Sequence, residues 1–218
     1  LDPRMPVGDS IAEPLGVFRP GLDRRGREAE VRAIMERVGL SGDLINRYPH
    51  ELSGGQNQRV GIAKAMILKP RLVVCDEPVS ALDVSIRAQI LDLLVDLQRE
   101  FGMAMMFISH DLAVVREISH RVLVLYMGQV VEAAPAGRLF EDARHPYTRA
   151  LLSAALIPDP AVERQRPRLR LSGDLPSPLD PEAGLRFLPS RRGEAPPYRP
   201  KLEEVAPGHW VGEFDPPA

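Results

Sequence analysis

The 218-residue chain contains no Gly-x-x-x-x-Gly-Lys-Ser/Thr run, the loop that wraps nucleotide phosphates in many NTP-binding proteins. It holds one cysteine, which excludes an internal disulfide framework and suits a cytosolic protein. No apolar stretch approaches the roughly 18 residues needed to span a bilayer. The opening Leu-Asp-Pro-Arg-Met resembles neither a signal peptide nor a usual translation start and reads as an entry in mid-sequence. No internal repeat is apparent. The net charge of −2 gives no electrostatic reason to expect nucleic acid or an anionic membrane surface as partner.

What is present is ordinary in bulk, with 44% apolar and 27% charged residues. The organisation lies in the pattern. Residues 1–25 hold four prolines around an apolar patch at Val7, Ile11 and Leu15. From Glu28 to Val38 the apolar residues Val31, Ile34, Met35 and Val38 recur at helical spacing, and Gly39 ends the run. A second helix is expected from Gly54 to Leu68, with Ser53 as its N-cap and Gln56 as the reciprocal partner of a capping box. Three apolar runs follow, Leu72–Cys75, Met103–Ile108 and Val122–Tyr126, separated by helical patterns such as Ile86–Glu100. Such alternation predicts an α/β fold with a parallel sheet covered on both sides. One further strand is expected at Gln129–Ala133 after a turn at Met127-Gly128, with short helices near Ala136–Glu141 and Tyr147–Ala155. Thirteen of the 22 prolines fall in the last 61 residues, which argues there against long helices and central strands. The sparse apolar anchors Leu169, Leu171, Leu185, Phe187 and Trp210 predict an extension that wraps a neighbour.

Three places carry chemistry. In Leu52-Ser53-Gly54-Gly55-Gln56 two glycines let backbone approach an anion, and the following helix points its unpaired N–H groups at it. The same residues also describe a plain capped helix start. Twenty residues on, a strand ends in Asp76-Glu77-Pro78. An acid at the carboxyl end of a parallel strand can hold Mg²⁺, usually through water, and the next acid can orient or deprotonate an attacking water. A pair of surface acids at a strand end is the plainer alternative. Another apolar strand ends in Ser109-His110-Asp111, where His110 can hydrogen-bond a phosphate and a water, or be a polar surface residue.

The order of these segments, with Ser80-Ala81-Leu82-Asp83 between them, resembles the ATP-binding-cassette ATPases. The resemblance implies that Ser53, Gly54, Gly55 and Gln56 form the signature loop that contacts ATP held by the opposite protomer. It makes Asp76 the Walker B acid that holds Mg²⁺, Glu77 the catalytic base, Asp83 part of the D-loop and His110 the switch histidine. Arg47-Tyr48-Pro49-His50-Glu51, Val74 to Ser85, Arg144-His145-Pro146-Tyr147-Thr148-Arg149-Ala150-Leu151 and Gly173-Asp174-Leu175-Pro176-Ser177-Pro178-Leu179 are similar to the oligopeptide, dipeptide and nickel importer branch. The similarity covers the whole chain. It implies a partial P-loop NTPase core with a parallel sheet, a helical signature subdomain and a proline-rich C-terminal extension, divided as residues 1–60, 61–157 and 158–218.

The activity implied is that of an ATP-binding subunit that couples ATP hydrolysis to peptide uptake. Its expected partners are a second ATPase subunit, membrane permeases and, indirectly, a solute-binding protein, with the chain peripheral at the cytoplasmic face of the membrane and no nucleic acid bound. A soluble cassette protein of translation or DNA repair, and a non-catalytic half-subunit, are the competing readings. The family's phosphate loop and Q-loop glutamine are expected before residue 1, so this chain alone is expected to bind MgATP weakly and hydrolyse little. Asn57 stands where the family usually has Arg or Lys, with a minor effect expected. Many members of the branch carry C-terminal cysteines suited to an iron–sulfur cluster. Here Leu185 occupies one such position and Gly208-His209-Trp210-Val211 has none, so no cluster is expected.

Overall fold

A computed structural model describes residues 1–155, 169, 176–177, 179–180, 182–193 and 200–216. The chain divides into two compact units, Leu1–His110 and Asp111–Ala218.

The first unit opens with α1 (Val7–Phe18) and α2 (Arg24–Arg37). Val7, Ile11 and Leu15 stand four residues apart on one face of α1 and are fully buried, which explains the helix despite Pro14 in its interior. The sequence reading assigned no element to this proline-containing stretch. Pro6 sits at the N-cap, where a missing N–H costs the helix nothing. The helix expected over Glu28–Val38 is α2. It starts earlier, because Asp23 caps it by accepting from the Gly26 N–H at 2.8 Å, and it buries Val31, Ile34 and Met35. Two single-turn 3₁₀ segments, Gly42–Asn46 and Pro49–Glu51, lead into α3 (Gly54–Met66). Then follow β1 (Leu72–Asp76), α4 (Val84–Phe101) and β2 (Ala104–Ile108). α4 buries Ile90, Leu91, Leu94 and Leu97, the stripe read from the sequence.

β1 and β2 are parallel, in register from Leu72↔Ala104 to Asp76↔Ile108. The pair does not have both faces covered. Leu72, Val74, Met106 and Ile108 alternate onto one face and are 45–57% exposed, whereas Cys75 on the other face is buried. Apolar runs announce that both faces suit burial; they do not supply the covering layer.

The second unit contains α5 (Leu112–Ile118), β3 (Arg121–Tyr126), β4 (Gln129–Pro135), α6 (Ala136–Glu141), α7 (Pro146–Ala154), β5 (Leu202–Ala206) and β6 (His209–Gly212). The third apolar run, now β3, is not in the parallel sheet. It pairs antiparallel with β4 in a four-stranded sheet ordered β3-β4-β6-β5. The turn at Met127-Gly128 has positive φ at both residues (47° and 75°), the twist that joins antiparallel neighbours in two residues. Val122, Val124 and Tyr126 face a core completed by Val115, Val131, Ala134, Ala136 and Leu139.

The proline-rich end also departs from expectation. β6 lies between β4 and β5 and is bonded on both edges. Its prolines fall outside the strands, at Pro200, Pro216 and the Pro207-Gly208 turn, where Gly208 takes φ 69° behind a proline at the preceding turn position. Of the expected anchors, Leu185 is buried and Phe187 packs on the core, but Trp210 and Leu169 are exposed. Leu171, Gly173-Asp174-Leu175, Pro178 and most of the Arg164–Arg170 cluster lie outside the described residues.

Candidate nucleotide-handling site

Ser53 and Gln56 form the reciprocal cap expected of them. The Gln56 N–H donates to Ser53 Oγ at 3.2 Å, and the Ser53 N–H donates to Gln56 Oε1 at 2.9 Å. Both side chains are thus engaged at the start of α3. A Cβ on Gly55 would stand 2.7 Å from Ile86 Cγ2, in the first turn of α4, while one on Gly54 would meet Leu82 Cδ2 at an ordinary 3.8 Å. Gly55 therefore lets two helix starts approach, and Gly54 leaves backbone open.

Asp83, four residues before Arg87, caps α4. Its Oδ1 accepts from the Ile86 N–H at 3.0 Å and from Ser85 Oγ at 2.7 Å. Those bonds, the Ile86 backbone first and the Ser85 hydroxyl next, hold its carboxyl below the usual range. The signature-like loop and this cap are consequently neighbours, joined through Gly55 and Ile86.

Asp76 ends β1 opposite Ile108 and is exposed. Glu77 continues the ladder by one bond, its N–H donating to the Ile108 carbonyl at 3.0 Å, then turns the chain out of the strand with φ 49°. A left-handed glutamate costs roughly 1–3 kcal/mol, which the surrounding turn must offset. Ser80 closes that turn by donating from Oγ to the Glu77 carbonyl at 3.1 Å. β2 delivers His110 to the same end of the pair. His110 Nδ1 donates to Glu77 Oε1 at 2.7 Å, with the imidazole 78% and the carboxylate 37% exposed. Parallel strands in register thus bring Asp76, Glu77 and His110 to one edge, with the imidazole largely exposed.

No group of three or more His, Cys, Asp or Glu residues among the described residues forms a ready cation cage. A single strand-end carboxylate suits Mg²⁺, which keeps most of its waters and takes one or two carboxylates beside phosphate oxygens. Asp76 fits that mode.

Sequence reasoning gave Asn57 no bonding partner. Its Nδ2 donates to the Pro49 carbonyl at 2.9 Å and lies 3.4 Å from that of Leu52, so it ties the segment before the loop to the first turn of α3. Its place one residue beyond a capping box was the available signal, since side-chain amides there reach preceding carbonyls.

Residues 1–80 match the family model described as ABC transporter, and residues 131–196 match the oligopeptide/dipeptide transporter, C-terminal region. The oligopeptide transport ATP-binding protein OppF of Salmonella typhimurium is 53% identical over 93% of this chain and 62% of its own length. This chain belongs to the ATP-binding-cassette family, in its oligopeptide-transporter branch. The putative oligopeptide transport ATP-binding protein YkfD of Bacillus subtilis is 46% identical over 97% of this chain and 65% of its own length. For the glutathione import ATP-binding protein GsiA of Escherichia coli the figures are 51%, 98% and 32%. The chain therefore spans about three fifths of the oligopeptide-transport relatives it matches. Among solved structures, the dimeric ATP-binding cassette MJ0796, in a post-hydrolysis state with ADP and Pi, matches with a TM-score of 0.56 at 29% identity. The match covers 62% of this chain and 59% of that one. The fold is accordingly an α/β cassette core with parallel and antiparallel sheets. None of the helices described is long and apolar enough to cross a membrane.

Proposed function

We propose that this chain works as part of the ATP-binding subunit of a peptide importer, contributing the acids and imidazole of an ATP-hydrolysing site. The observation that carries the reading is the Glu77–His110 hydrogen bond, placed one residue beyond Asp76 in a chain about half identical to oligopeptide transport ATP-binding proteins. Glu77 is the base: its carboxylate orients a water and takes its proton. His110 fixes that carboxylate and offers its second nitrogen to the phosphate side. Asp76 would hold Mg²⁺, which supplies charge neutralisation at the phosphates when bound. Ser53, Gly54, Gly55 and Gln56 face a nucleotide carried by a second ATPase chain, and Asp83 lies at the seam between the two.

The organisation accompanying this reading is a helical signature region at 1–60, a core half at 61–157 and an importer-type extension at 158–218. Permease subunits bind the helical stretch before the signature, roughly residues 10–50, at the cytoplasmic face of the membrane, and a solute-binding protein delivers peptide from outside. The similarity of residues 131–196 to the oligopeptide/dipeptide C-terminal region favours transport over a soluble translation or repair protein.

Because the 218 residues hold no phosphate loop, the chain alone binds a fluorescent MgATP analogue more weakly than micromolar and releases little phosphate. Reconstituted in vesicles with a complete cassette partner and permeases, it supports ATP-dependent peptide uptake. Micromolar binding by the isolated chain overturns the division of labour. Uptake with hydrolysis unchanged by Glu77→Gln overturns the catalytic role and leaves the non-catalytic half-subunit.

A further inference from the structure

The second unit contains a buried carboxylate that plays no part in nucleotide chemistry. Glu132, in the middle of β4, is fully buried. Burying a carboxylate costs several kcal/mol unless donors replace its water. Three do. The Arg144 N–H donates to Oε1 at 2.8 Å and the His145 N–H to Oε2 at 3.1 Å, both from the backbone leading into α7. The third is His209 Nε2, which donates to Oε1 at 2.7 Å from β6, 77 residues away in sequence. His209 is itself buried, at 1% exposure.

Elsewhere the hairpin buries Val211, and Glu213 just after it pairs with Arg191 at 2.9 Å and accepts from the Lys201 N–H at 2.8 Å; its remaining ties are few. β6 meets β4 at only two register positions, Glu132↔Val211 and Ala133↔Trp210, whereas β3 and β4 pair at six. β5 is an edge strand with four of its five residues exposed. The Arg121 Nη2 bond to the Gly208 carbonyl, at 3.1 Å, is at the surface. Beyond the hairpin, the Phe214 ring stands edge-on to His145 at 5.5 Å, and the Asp215 N–H donates to the Phe187 carbonyl at 2.7 Å. An isolated two-stranded hairpin is marginal in water, so its persistence is decided by where it docks.

We propose that residues 202–212 form a detachable strap whose dock is the Glu132 carboxylate. The other groups near the dock leave this role to His209: the Arg144 guanidinium is held by Asp142 at 2.6 Å, and Glu204 accepts from the Gly208 N–H at 2.7 Å within the hairpin. Loss of the imidazole donor leaves Glu132 buried with two backbone donors, a state relieved when water enters. Water enters by displacing the strap, which uncovers the edge of β4. Undocking is therefore a local event that leaves β3, α6 and the core beneath them folded. The proposal is independent of the nucleotide reading, since every residue in it belongs to the second unit.

Hydrogen exchange on the full chain, read by mass spectrometry, tests it. His209→Ala and Glu132→Gln are expected to speed exchange of the 202–212 amides at least tenfold, with the 122–126 amides changed less than twofold. His209→Gln keeps a donor and should stay within threefold of the unsubstituted chain. Unchanged strap exchange in His209→Ala overturns the proposal. So does equal acceleration of strap and β3, or global unfolding of both variants, because Glu132 would then hold the whole unit together.

Discussion

The carboxylate of Glu77 and the imidazole of His110 meet at 2.7 Å although 33 residues separate them. Two strand ends in parallel register make the meeting, and Asp76 stands on the same edge. The pair gives a sharp expectation for the assembled ATPase. Glu77→Gln removes the base and should lower phosphate release by about 10²–10⁴-fold while nucleotide binding persists. His110→Ala should lower it in the same direction, by freeing the carboxylate that the imidazole orients. A steady-state phosphate assay beside equilibrium nucleotide binding separates loss of turnover from loss of affinity.

Gly55 predicts a packing effect. Gly55→Ala places a methyl 2.7 Å from Ile86 Cγ2 and should destabilise the first unit by about 1–3 kcal/mol. Gly54→Ala meets only ordinary contact and should leave stability nearly unchanged. Denaturant midpoints of the two variants check the contrast, and Ile86→Ala added to Gly55→Ala should recover part of the loss.

Asn57→Ala removes the tie to the Pro49 carbonyl. The expected loss is about 1 kcal/mol, the usual net worth of such a bond, with faster exchange confined to amides around 49–53.

His145 makes the second unit acid-sensitive. Burial drives its pKa down from 6.5 to about 4, with the nearby Glu132 opposing. The neutral ring is also required by its cap, since Nδ1 accepts from the Tyr147 N–H at 3.2 Å. The unfolded chain takes up a proton near pH 6.5 that the folded chain refuses until about pH 4. The contribution is thus fully present above pH 6.5 and is lost progressively as pH falls to about 4. Its full size is on the order of 3 kcal/mol. His145→Asn, which can still cap, should flatten the slope of urea-derived stability over that window. An unchanged slope would place the acid sensitivity elsewhere.

Much of the site was legible because its signals are local. The Ser53–Gln56 cap, the acids closing an apolar strand and the histidine closing the next each lie within a few residues. Illegible features had competing local signals. Prolines mixed with polar residues left 7–18 without an assigned element, where three buried apolar residues on one face make a helix. Prolines argued against central strands in the last 61 residues, yet the Pro207-Gly208 turn permits β6.

The sequence by itself determined most of the helices and strands between residues 54 and 154, which acids stand at strand ends, and the family to which the chain belongs. Spacing, capping and turn chemistry act over a handful of residues and need no partner. Only the tertiary structure decided that β3 turns from the parallel pair to an antiparallel sheet, that Gly55 answers to Ile86, and that Glu132 is buried against His209. Those outcomes depend on which distant segments exclude water together, and no local run of residues encodes that choice.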